Sequence, residues 1–354
     1  MTAAVREMFY AQANGCESLG SPLTARVLRL LAASLASGHP VEDRILGWQG
    51  DLSRDGDAMA LRVAGGLHRL VLAGRDAGLA AFYAKPDDWT DSAATAVLLE
   101  VLRRCPIDVM AALDNPPQTN EVRRSAVLIG VGHWLAARFG LPLVLSELGA
   151  SAGLNLIWDT YRMAINGASF GPDGPMTLTP DWHGALPPGT VPQVTSRAGV
   201  DRCPLDPSAD RQRILSYIWA DQHDRVARTS AACDIASRHA PKVAQSDAAP
   251  WLESRLAVAH PGHLHLVFHT IAWQYFPPAT ATRAEAALVA AGRKATPDAP
   301  LAHFSMENDA SDTGAPLTLR LWPGGDTIPM GRADFHGRWV DWRAPDPCTF
   351  APLT

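Results

Sequence analysis

A chain of 354 residues, 47% apolar and 19% charged, can bury a core for one large domain or two ordinary ones, which excludes disordered and fibrous classes. A formal net charge of -5 and a pI near 6.2 offer no basic field to a phosphate backbone, so a small-molecule or protein substrate is expected and nucleic acid is not. Cys16, Cys105, Cys203, Cys233 and Cys348 lack disulfide or zinc spacing, and neither a secretory leader nor an uncharged membrane-length run is present, so a cytoplasmic protein with no membrane contact is expected.

In chain order, apolar residues three and four apart (Leu23, Val27, Leu28, Leu31, then Leu67, Leu70, Val71) predict helices through residues 1–140, a helical cap domain. Ser21-Pro22 opens one helix and Gly38-His39-Pro40 ends it. Asn115-Pro116-Pro117 breaks the chain before a helix over about 119–139, capped by Thr119 or Asn120. Polar Gln118, Asn120 and Glu121 at that start are candidate substrate contacts.

From Leu141 to Leu148 the chain is almost wholly apolar, as a strand buried on both faces must be. Strands are then predicted near 191–196, 242–245, 264–269, 300–306 and 316–322, and helices near 153–162, 208–239, 248–258 and 279–293. This alternation predicts a doubly wound α/β sheet over 141–354, with the Gly- and Pro-rich stretch 164–192 as an inserted hairpin or loop. Residues 317–322 and 332–342 around Gly324-Gly325 predict a closing antiparallel pair.

The segment from Glu147 through Gly149, Ser151 and Gly153 to Asn155 carries a buried strand through small residues into the predicted helix at 153–162, the arrangement that admits a nucleotide's close approach. It resembles the first motif of class I S-adenosylmethionine-dependent methyltransferases, with Glu147, Gly149 and Gly153 matching and Ser151 where glycine is usual. The resemblance implies a methyltransferase-like, Rossmann-like sheet, with this loop on the methionine part of S-adenosylmethionine. It further implies that Asp201, ending the second strand, binds the ribose, with Asp181 the competing choice. Asp247 and Ala248, after the third strand, would meet the adenine. After the fourth strand, His269 and Tyr275 are the candidate catalytic groups, and Trp273 and Gln274 the candidate substrate contacts.

A metal site is not expected, because His265 and His269 on one strand lie about 13 Å apart at about 3.3 Å per residue. Gly149-Ala150-Ser151-Ala152-Gly153 also fits the nucleophile elbow of α/β-hydrolases, with Ser151 as nucleophile, Asp206 or Asp247 as acid and His269 or His336 as base. The helical character of the preceding residues opposes that reading. A non-catalytic ligand-binding module is the third possibility.

The strings Asn115-Pro116-Pro117-Gln118-Thr119-Asn120-Glu121-Val122, Leu148-Gly149-Ala150-Ser151-Ala152-Gly153-Leu154-Asn155, Cys203-Pro204-Leu205-Asp206-Pro207, Trp273-Gln274-Tyr275 and Leu321-Trp322-Pro323-Gly324-Gly325 resemble an uncharacterised bacterial domain-of-unknown-function family. That resemblance implies a shared fold across nearly the whole chain and no transferable activity.

Overall fold

The computed structural model describes residues 2–53, 56–118, 120–311 and 313–350; Thr119, the alternative cap, lies outside them. Among the described residues, eight α-helices come first: α1 (Thr2–Ser18), α2 (Pro22–Ser34), α3 (Pro40–Leu46), α4 (Met59–Leu72), α5 (Ala77–Ala84), α6 (Asp91–Arg104), α7 (Pro106–Leu113) and α8 (Ser125–Phe139). There follow β1 (Leu143–Leu148), β2 (Arg162–Ile165), β3 (Ala168–Phe170), β4 (Thr177–Leu178), β5 (Asp181–Gly184), β6 (Val194–Asp201), α9 (Arg211–Ser216), α10 (His223–His239) and β7 (Val243–Gln245). The chain ends with α11 (Ala248–Leu256), β8 (Leu264–Thr270), α12 (Pro278–Gly292), β9 (Leu301–Met306), β10 (Ala315–Trp322), β11 (Asp326–Ala333) and β12 (Trp339–Trp342). No described helix is long and apolar enough to cross a membrane.

Two compact units are present, Met1–Thr119 with Asp210–Ser230, and Asn120–Ala209 with Ala231–Thr354. In the first, the helical periodicity buries Phe9, Leu28, Leu31, Leu67, Phe82 and Leu98 in one core, each such side chain contributing about 1.5–3 kcal/mol of transfer free energy. Pro22 stands at the first helical position of α2, where its missing N–H is harmless. The Ser21 hydroxyl does not cap that helix. It donates to Asp221, which also accepts the Leu23 N–H at 2.8 Å. Asp221 lies between α9 and α10, so the single helix expected over 208–239 is two helices separated by a turn.

The second unit is built on a nine-stranded mixed sheet of order β5-β12-β11-β10-β9-β8-β1-β6-β7. β7, β6, β1, β8 and β9 run parallel, β10 to β12 form an antiparallel meander, and β5 joins β12 in parallel. β1 and β8 are buried along their whole lengths, as central parallel strands covered on both faces require. α11 and α12 cover one face over Leu148, Val200, Val267 and Leu301. In α8, a Cβ on Gly132 would fall 2.2 Å from the Trp158 ring, so only glycine lets that indole close on the helix.

Three local expectations need correction. Residues 153–162 form no α-helix but successive turns and a short 3-10 segment, Trp158–Thr160. Side chains take the carbonyls a helix would use: Tyr161 Oη donates to Leu154 O at 2.7 Å and Arg197 to Leu156 O at 3.2 Å. The stretch 164–192 holds the β2–β3 hairpin in a small three-stranded sheet and then β5, which pairs with β12 at the edge of the main sheet. Finally, the antiparallel partner of β10 is β11, not 332–342 as a whole, because Gly324 and Gly325 at φ 111° and 76° reverse the chain immediately; β12 pairs with β11 in turn.

Candidate functional site at the carboxyl ends of the parallel strands

Numbered in chain order, the five parallel strands lie in the order 3-2-1-4-5, and the direction of progression reverses between β1 and β8. At such a reversal the loops leaving adjacent strands diverge, which makes their carboxyl ends the ligand-binding edge of an open α/β sheet.

Strand alternation puts Glu147 and Asp201 on the sheet face opposite Leu148 and Val200, and so away from α11. Glu147 is 3% exposed and its Oε2 has no hydrogen-bond partner. Burial, and then the charge of Asp201, push its carboxyl well above the usual range against the opposing pull of Arg124. The loop that follows turns through left-handed backbone at Gly149 (φ 70°), Ser151 (φ 50°) and Gly153 (φ 68°). For Ser151 this conformation costs about 1–3 kcal/mol.

Five contacts hold the loop. Gly149 and Ala150 N–H donate to Val200 O at 2.9 and 3.0 Å. Ser151 N–H donates to Asp201 Oδ2 at 2.9 Å, Leu205 N–H to Ser151 O at 3.2 Å, and Asn120 Nδ2 to Ser151 Oγ at 2.7 Å. Asp201 Oδ1 also accepts the Cys203 N–H at 2.8 Å. Asn155 accepts from Ser125 Oγ at 2.7 Å and donates to Glu121 O at 3.3 Å. Asn120, Glu121, Gly149, Ser151, Asn155 and Asp201 are thereby tied into one network beside Glu147. Gln118 belongs to the first unit and is half-buried.

Arg124 is buried and donates to Thr270 O at 2.8 Å and Phe335 O at 2.9 Å. It thus reaches the end of β8, where Ile271 is held at φ 52°. A β-branched residue in that region is a true conformational outlier. What over-determines it is Glu307, one residue past β9. Its carboxylate accepts the N–H groups of Ala272, Trp273 and Gln274 at 2.9, 3.1 and 3.4 Å and faces His269 Nδ1 at 2.6 Å. Burial alone would raise the Glu307 pKa, but these donors outweigh it and hold the carboxyl below its ordinary value.

The chain of contacts continues inward. His269 Nε2 meets His303 Nε2 at 3.0 Å, and Arg320 donates to His303 Nδ1 through Nε and Nη2 at 3.2 and 3.0 Å while gripping Glu285. Because a guanidinium only donates, His303 Nδ1 carries no proton and Nε2 must. His269 Nε2 therefore accepts, and its proton sits on Nδ1 toward Glu307. Burial, then the neighbouring His269 and Arg320, keep His303 well below its usual pKa. His269 has no free nitrogen with which to abstract a proton, and Trp273 stacks on it at 4.9 Å. It is thus bonded to the Glu307 carboxylate that accepts the loop's N–H groups.

Tyr275 is 70% exposed, and Gln274 is exposed beside it. Asp247 caps α11 by accepting the Ala249 N–H at 3.0 Å and also accepts Thr280 Oγ1 at 2.9 Å, while Ala248 is buried. The β1 and β8 loops meet at Gly149, where a Cβ would lie 2.6 Å from that of Ala272. Sequence reasoning missed Glu307, His303 and Arg320. The available signal for Glu307 was its place just past the predicted 300–306 strand, on the same carboxyl edge as Glu147. Among the described residues no group of three or more His, Cys, Asp or Glu side chains could hold a metal ion.

Glu147 sets a pH dependence. With its folded pKa raised above an unfolded value near 4.3, the stability it contributes is full below about pH 4 and lost as pH rises through the folded pKa, at about 1.4 kcal/mol per unit of displacement. Glu147→Gln is therefore expected to gain stability relative to the parent between about pH 4 and pH 8. Urea midpoints of both proteins across that range check it; a constant difference would rule the assignment out.

No curated protein and no solved structure matches the chain. The family described as an uncharacterized protein conserved in bacteria, DUF2332, matches over residues 6–342, and the chain belongs to that family.

Proposed function

We propose that this protein binds S-adenosylmethionine across the carboxyl ends of β1, β6 and β7 and transfers its methyl group to a small-molecule or protein acceptor. The observation that carries this reading is the pairing of a 3-2-1-4-5 parallel order with a left-handed Glu147–Gly149–Ser151–Gly153 loop at the reversal point. On this reading the sheet is a doubly wound, methyltransferase-like one, closed by an antiparallel β10.

The residues fit a cationic cofactor better than a phosphorylated one. No α-helix follows the β1 loop, so no positive helix terminus stands behind that loop. Two carboxyls, Glu147 and Asp201, stand there instead, and the Oε2 of Glu147 lacks a partner. When bound, S-adenosylmethionine would supply an electrophilic methyl group. Residues 147–155 would hold its methionine part. Asp201 would accept the ribose hydroxyls, since a carboxylate offers two acceptor oxygens at the end of the second parallel strand. Asp247 and Ala248 would meet the adenine. The exposed Tyr275 and Gln274 would orient the acceptor, with Trp273 beside them and His269 acting through Glu307.

Calorimetric titration with S-adenosylmethionine and S-adenosylhomocysteine tests this. Micromolar binding, about 8 kcal/mol, is expected, weakened at least about tenfold by Asp201→Ala and by Asp247→Ala. The absence of binding by either ligand would overturn it, and binding without turnover on any acceptor would favour a non-catalytic module.

One observation favours the hydrolase alternative: the left-handed φ of Ser151 suits a nucleophile elbow. Against it, Ser151 Oγ receives a hydrogen bond from the Asn120 amide, and both nitrogens of His269, one of the candidate bases, meet Glu307 and His303. A fluorophosphonate probe is accordingly expected to leave Ser151 unlabelled.

A further inference from the structure

We propose a second ligand site, for a small oxyanion of the phosphate class, at the amino-terminal ends of β8 and β9. It does not rest on the cofactor reading, since His265 lies about 20 Å along β8 from Ile271 at about 3.3 Å per residue.

A depression of about 150 Å³ opens there, lined by His260, His263, His265, Lys294 and the apolar Leu256 and Leu301 among others, with no acidic side chain in its wall. That is room for a group of a few heavy atoms. His260 Nε2 is buried and without a hydrogen-bond partner. His260 and His265 meet edge to face at 5.0 Å.

Arg255, immediately before the lining segment, is half-buried. Its guanidinium donates to Ser146 Oγ at 3.0 Å and to Leu145 O at 3.4 Å, and Ser146 Oγ also meets His265 Nε2 at 2.8 Å. Among the described residues neither Arg255 nor Lys294 forms an ion pair. Glu253, two residues away on α11, is engaged by Arg283.

Three imidazoles and an ammonium line one depression with no acid in its wall, and a half-buried guanidinium without an ion pair adjoins it through Ser146, a donor-rich setting that suits an anion. Burial, assisted by Arg255, already holds His260 and His265 below their ordinary pKa, His265 at about 3. A phosphate group answers this donor set. It accepts hydrogen bonds from several directions, and the Lys294 ammonium in the wall opposes its charge.

The test is an NMR titration of the histidine imidazole signals with inorganic phosphate and, separately, with a simple phosphate monoester. Saturable shifts of His260, His263 and His265 are expected, with affinity falling at least about fivefold in Lys294→Glu and in His260→Asn. Lys294 is exposed, so its replacement leaves the core intact. Tighter binding of the monoester would assign the group to a larger metabolite, and tighter binding of inorganic phosphate to the free ion. No saturable shift at on the order of 10 mM ligand, or equal affinity in the parent and both variants, would overturn the site.

Discussion

Replacing Gly149 by aspartate is expected to abolish S-adenosylmethionine binding. The residue sits at φ 70°, and a Cβ there falls 2.6 Å from that of Ala272. Left-handed backbone costs a non-glycine residue about 1–2 kcal/mol, and the overlap adds about 1–3 kcal/mol as the β8 loop is forced outward. Aspartate also adds a third carboxyl beside Glu147 and Asp201. Gly149→Ala separates the steric from the electrostatic part: it shares the overlap but not the charge, and is expected to weaken binding without abolishing it. Calorimetry on both variants, with urea denaturation to report folding, makes the measurement. Unchanged affinity in Gly149→Asp would remove the cofactor from this loop.

The second large effect is expected at Glu307. Glu307→Ala leaves the N–H groups of Ala272, Trp273 and Gln274 and the Nδ1–H of His269 without their acceptor. A loss of about 3–5 kcal/mol is expected, as for other buried charged networks that lose one partner. Glu307→Gln keeps one acceptor oxygen and should lose less. The pH dependence has the opposite sign to that of Glu147. The folded pKa of Glu307 is lowered, so its contribution is full above the unfolded value near 4.3 and is lost as pH falls through the folded one. The stability gap between the parent and Glu307→Gln should therefore narrow in acid, which urea unfolding at about pH 7 and about pH 3.5 would reveal. A gap that stays constant would place the role of Glu307 elsewhere.

Much of the β1 side of the site was legible in the residues. A run such as Leu143–Leu148, apolar except for Ser146 and Glu147, has to lie in the middle of a parallel sheet. Small residues after it have to form a tight turn at its carboxyl end. Asp201, expected to end the second strand, pairs into that turn because β6 lies beside β1 in register, Glu147 opposite Gly199. Asn120 and Glu121, expected as substrate contacts, bond in the structure to Ser151 and Asn155 after β1.

The β8 side was hardly legible. His269 reads as a free base in the sequence, but its two nitrogens are committed to Glu307 and His303. Those residues lie 38 and 34 positions away and meet it only because β8 pairs with β9. The helix expected over 153–162 failed for a similar reason, since Tyr161 and Arg197 take its carbonyls.

What the sequence by itself determined are the properties carried by neighbours along the chain. The helical start, the alternating α/β second half, the buried central strands and the glycine turn after β1 all follow from local periodicity and backbone freedom. What only the tertiary structure decided are the properties set by register between distant strands. Those are the protonation pattern of the His269–His303 pair, the isolation of Glu147, and the allocation of residues 210–230 to the first unit. Each depends on which donor meets which acceptor across the fold, and no spacing along a single strand encodes that pairing.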